Sequence, residues 1–146
     1  MSCNSSSNPF REKTTIELLQ GSWKACNSTS TNSLMVRFIF NNDQITETVS
    51  EWDQPFCVGI ETVGLNFVAT VDAGEVGESI YVNGATDITI TPTSDLFGCG
   101  VNQPAYTLIK FFDKNYTKFN PGTGTPTCNP SLRTTSIEAG LTFIKQ

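Results

Sequence analysis

Histidine is absent from all 146 residues, which removes Ser-His-Asp triads, Cys-His dyads and the usual catalytic zinc ligand sets. Carboxylates and cysteines are left as the groups able to do chemistry. Glu47 and Glu51, four residues apart, fall on one face of an extended strand, and Asp53 follows them. Paired carboxylates do acid/base work only where a cleft pushes their pKa values apart, and this spacing reads instead as a solvated strand face. Gly98-Cys99-Gly100 has the small-residue flanks of an anion-binding loop, yet no helix follows to supply a dipole. Asp95 and Asp113 sit in turn sequences. The chain therefore reads as non-enzymatic, with no metal and no cofactor.

The five cysteines divide into one and four. Cys3 lies in the polar stretch Ser-Cys-Asn-Ser-Ser-Ser-Asn-Pro, whose composition favours disorder, and residues 1–11 read as a flexible tail. A cysteine after a small residue in such a tail resembles the mature start of a bacterial lipoprotein. That makes Cys3 a lipidation candidate and Met1 an added start codon. Cys26, Cys57, Cys99 and Cys128 make the even number expected of two disulfides in an oxidising compartment. The expected location is extracytoplasmic: periplasm, outer membrane or secreted. The sequence reads as having no secretory leader, and its apolar runs are too short to span a bilayer. Any membrane contact is expected only through a lipid on Cys3.

A net charge of −5 with nine scattered Lys and Arg excludes the basic stripe that neutralises phosphates, so no nucleic acid is expected. Charged residues make up 16%, below the usual quarter, while Ser, Thr and Asn are abundant and Gly and Pro recur at short intervals. These are the residues of strands and turns. Residues 12–146 are expected to form a single domain.

The element that organises the rest is Thr14-Thr-Ile-Glu-Leu-Leu-Gln-Gly-Ser-Trp-Lys-Ala-Cys26. Thr14 and Glu17 have capping-box spacing, Ile16, Leu18 and Leu19 give a helical turn an apolar side, and Gly21 permits a sharp bend into a strand carrying Trp23. Leu34, Val36, Phe38 and Phe40 alternate with Met35, Arg37 and Ile39, which predicts a second strand. Asn41-Asn42-Asp43 turns the chain into a third, over 44–52, with Ile45 and Val49 on one face. The fourth is predicted over 56–71. Its apolar phase slips from Phe56, Val58 and Ile60 to Val63, Leu65 and Phe67, which predicts a β-bulge beside Gly64. Further strands are predicted at 80–82, joined by an Asn83-Gly84 hairpin to 86–91, and at 105–112, 116–120, 132–137 and 141–144. Strand 105–112 is apolar on both faces apart from Thr107 and Lys110, so cover on both sides is expected. The prediction is an all-β chain of eight to ten antiparallel strands.

With hairpins throughout, connections alternate between the two ends of the sheet. Counting 80–82 as a strand puts Cys26 and Cys57 at one end, and the loops holding Cys99 and Cys128 at the other. The predicted pairs are Cys26–Cys57 and Cys99–Cys128, one at each end.

A helical turn followed by Gly21-Ser22-Trp23 on the first strand of a meander resembles the lipocalins and their bacterial lipocalin-like relatives. The resemblance implies an up-and-down barrel, closed beside the helix and open at the end carrying loop 27–33. The late Arg that packs on the motif Trp in such proteins is absent here, with Arg133 or Lys145 as its possible substitutes. The function implied is a binding module holding a small hydrophobic ligand, with Phe38, Trp52, Phe56 and Phe67 as the candidate lining residues. The alternative is an interaction or inhibitor module for an envelope protein, with a filled interior. A cavity above roughly 300 Å³ opening beside loop 27–33 would favour the first.

Overall fold

The computed structural model describes residues 12–146; the tail at 1–11 and Cys3 lie outside the described residues. A short helix, α1 (Thr15–Leu19), precedes eight strands: β1 (Gly21–Ser28), β2 (Ser33–Asn41), β3 (Gln44–Trp52), β4 (Glu61–Ala73), β5 (Thr86–Pro92), β6 (Ala105–Phe111), β7 (Lys118–Pro121) and β8 (Phe143–Lys145). Each strand pairs antiparallel with the next, and β8 returns to β1 through Trp23↔Lys145 and Lys24↔Ile144. The sheet is a closed all-β barrel, as expected from the strand count and turn chemistry.

Strand parity decides which residues face in. Trp23 and Ala25 stand opposite Phe38 and Val36, and Phe40 stands opposite Ile45, so odd positions of β1 and β3 and even positions of β2 share the interior. Between β3 and β4 the register moves from Val49↔Leu65 to Ser50↔Val63, leaving Gly64 unpaired. This is the expected bulge, and it bends the longest strand around the barrel. The Asn41–Asp43 turn uses Asn42 at φ 55°, the left-handed conformation that Asn tolerates.

Three predicted stretches are corrected. Residues 80–82 form no strand, because β4 runs on to Ala73 and pairs directly with β5, taking the edge such a strand would need. Ile80 is 88% exposed, and Asn83-Gly84 only folds the 74–85 connection back on itself, with the Ala85 N–H donating to Val82 O at 3.1 Å. Residues 132–137 contribute a lone bridge, Gly122↔Ile137, after a 3-10 turn at Pro130–Leu132. Phe56 and Cys57 lie in a 3-10 turn with φ of 64° and 54°, ahead of β4.

Losing the 80–82 strand inverts the parity of everything after it. Both predicted disulfides form, Cys26–Cys57 and Cys99–Cys128. Yet the connections 29–32, 53–60, 93–104 and 122–142 all fall at one end, so both disulfides staple the same rim. The other end is left to α1.

Candidate functional site

The floor of the barrel is built by the opening segment. The Thr14 hydroxyl accepts from the Glu17 N–H at 3.2 Å, and the Glu17 carboxylate accepts from the Thr14 N–H at 3.1 Å, starting a helix too short to persist alone. Gly21, at φ 107°, makes the bend that lays α1 across the barrel end. Trp23 is then fully buried, and its ring N–H, which burial would otherwise leave unpaired, donates to Leu19 O at 2.7 Å. Its ring packs on Phe119 at 4.9 Å; Phe119 stacks on Phe143 at 5.1 Å, and Phe143 meets Phe38 at 4.7 Å. Of the two possible substitutes for the late Arg, Lys145 caps the floor: its Nζ lies 5.4 Å from the Trp23 ring centroid and donates to Leu18 O at 3.2 Å. Gln20 binds the β2–β3 turn through both its oxygen and its nitrogen, and the Thr15 hydroxyl donates to Gly74 O at 2.6 Å.

Above this floor lies a cavity of about 180 Å³, walled by apolar side chains including Phe40, Ile45, Val71 and Ile90. Of the predicted lining residues, Phe38 and Phe67 line it. Trp52 and Phe56 do not. Trp52 has the outward parity of β3, and its ring N–H is buried without a partner; Phe56 is 79% exposed on its 3-10 turn. The volume is below the roughly 300 Å³ typical of drug-sized pockets. Of the loops at the disulfide rim, the 93–104 and 122–142 connections reach the cavity, through Leu96, Phe97, Gly124 and Pro126, and no residue of loop 27–33 lines it.

Glu47, read from sequence as part of a solvated face, lines the cavity between Phe38 and Phe67, its cross-strand neighbours. Burial pushes its carboxyl above the ordinary value of 4.5, and no donor or cation offsets this. The signal was available: Glu47 shares the parity of Ile45 and Val49, the apolar positions of β3. Glu51 and Asp53 do not line the cavity with it. On the outer face, the Arg37 guanidinium 2.8 Å from Glu61, helped by Ser50, lowers the Glu61 pKa. The Thr117 hydroxyl and the Thr117 and Lys118 N–H groups lower that of Asp113, which closes the β6–β7 turn.

The mouth is long loop held by covalent and polar ties. Cys99–Cys128 joins the two connections that reach the cavity, and Cys26–Cys57 holds the 53–60 connection against β1. Arg133 anchors the last connection across β5 and β6: it donates to Thr107 O at 3.0 Å and Thr89 Oγ1 at 3.2 Å, and lies 5.1 Å from the Tyr106 ring centroid. This is the outer cover that the doubly apolar β6 demanded, and Leu108 within that strand is fully buried. A larger, more polar depression of about 440 Å³ lies outside the barrel, between residues 12–16 and 73–78.

The fold thus defines a class: a closed eight-stranded up-and-down barrel, plugged by a helix at one end and open at the other, compatible with the calycin architecture. No protein-family model matches the chain, and no curated protein matches it significantly. Among the described residues, no group of three His, Cys, Asp or Glu could hold a metal ion.

Proposed function

We propose that the protein is a non-enzymatic, lipocalin-like binding module that holds one small apolar ligand in the barrel. The observation that carries this reading is the cavity of about 180 Å³, apolar except at Glu47 and Thr107, beneath the mouth loops. An engineered apolar cavity of about 150 Å³ accepts benzene, so the ligand is the size of a single substituted ring or a short branched chain. Lys145 over Trp23 supports kinship with the lipocalins, since it stands where their late cation packs. The disulfides support an extracytoplasmic setting, and a lipid tether through Cys3 belongs to the same reading.

A second reading, docking of an envelope protein, is favoured by one observation. Phe56, Val58, Ile60, Val63 and Leu65 are all exposed along a single stretch beside the mouth, more apolar surface than isolated exposed residues provide. Native mass spectrometry of the protein purified from its own cells separates the two. A small organic adduct, lost on denaturation, is expected. Bare protein mass, together with unchanged Phe38 and Phe67 NMR signals on adding toluene, would rule out the small-ligand reading.

A further inference from the structure

Resting on the small-ligand reading, we infer that Glu47 makes the cavity selective for a protonated amine: an apolar body, ring-sized, carrying one ammonium group.

Three observations converge. Glu47 is the one ionisable residue among those lining the cavity, so its carboxylate sets the charge of the interior. It makes no hydrogen bond or ion pair with any described residue. Two cations on neighbouring parts of the barrel serve elsewhere: Arg37 pairs with Glu61 on the outer face, and Lys145 donates to Leu18 O at the floor. Glu47 is half-buried, and a carboxylate in apolar surroundings with no partner is harder to ionise than a solvated one. A ligand that brings its own cation supplies the missing partner.

The walls fit the same guest. Phe38 and Phe67 flank Glu47 in register, and Phe40, Phe97 and Phe119 line the rest. An ammonium beside the carboxylate meets the negative faces of these rings, while the hydrocarbon body fills the apolar remainder. The same charge acts against the alternatives. An ionised carboxylate only accepts hydrogen bonds, so a fatty-acid or aryl-acid head group placed there would meet repulsion and find no donor. A plain hydrocarbon would fill the space and leave the carboxylate unpaired.

The test uses three ring-sized probes, benzylamine, toluene and benzoate, titrated by NMR at neutral pH into the full chain and into Glu47→Gln. In the native protein benzylamine is expected to bind about tenfold or more tighter than toluene, with benzoate weakest. In Glu47→Gln the amine advantage over toluene should disappear, while the cavity volume is kept. Carboxyl-carbon NMR of the unmodified protein gives a second readout that needs no variant: the Glu47 pKa should fall on benzylamine addition and not on toluene addition. Toluene and benzylamine binding alike in the native protein, or an amine preference that survives Glu47→Gln, would overturn the assignment while leaving the small-ligand reading intact. Failure of all three probes would overturn both.

Discussion

The two ends of the barrel are held by different physics. The closed end has no covalent tie: α1 is fixed by side-chain hydrogen bonds from Thr15, Gln20, Trp23 and Lys145, above a cluster of Trp23, Phe119, Phe143 and Phe38. The open end has long loops and both disulfides. Loops that must surround an opening cannot bury enough apolar surface to order themselves, so cross-links that restrict the unfolded chain stand in for a core. The contrast implies that the floor carries the cooperative stability and the mouth carries adaptability.

The largest expected effect is at the floor. Trp23→Ala should cost about 3–5 kcal/mol, because it empties a fully buried indole site and leaves Leu19 O without its donor. Calorimetry checks this, and a loss under about 1 kcal/mol would break the assignment of stability to this end. The mouth comes next. Cys26–Cys57 and Cys99–Cys128 span 31 and 29 residues, so replacing either pair by serine should cost about 3–4 kcal/mol in the chain-entropy model. Hydrogen exchange sharpens the distinction: without Cys99–Cys128, protection should fall in 93–104 and 122–142 while β1 around Trp23 keeps its own. Equal loosening at both ends would show that the rim and floor are one unit.

The smallest effect lies between the ends, at Glu47. Its folded pKa is raised by burial above the ordinary 4.5, so the native state holds the proton to higher pH than the unfolded chain does. Its stability contribution is complete below the unfolded value and is lost as pH rises through the folded value. Glu47→Gln should therefore gain stability relative to wild type as pH rises toward neutrality, with no such gain below the unfolded value. Urea midpoints measured across that range check the sign, and a variant that loses relative stability with rising pH would show that Glu47 has a cationic partner.

Much of this architecture was legible because local chemistry and tertiary need agree. The Thr14–Glu17 box, the Gly21 bend, the Asn42 turn and the Gly64 phase slip all depend on neighbours within a few residues, and each forms as expected. Two positions at the cavity wall follow from the same local alternation: that of β2 turns Phe38 inward, and that of β4 beyond the bulge turns Phe67 inward. Trp52 and Phe56 lie outside the cavity wall, because aromatic character says nothing about facing. Trp52 is one step out of phase with Val49, and Phe56 precedes its strand.

The sequence by itself determined the all-β class, the capped helical turn and the alternation of β2, since capping and alternation are local and countable; it named the right cysteine pairs from a parity argument that put them at opposite ends, and with all four at one rim parity no longer tells the pairings apart. Only the tertiary structure decided that 80–82 is no strand, that both disulfides therefore share one rim, and that Glu47 faces a cavity. Whether a short apolar run becomes a strand depends on a free sheet edge. Here β4 and β5 had already taken it, and a strand count that is off by one reverses the placement of every loop after it.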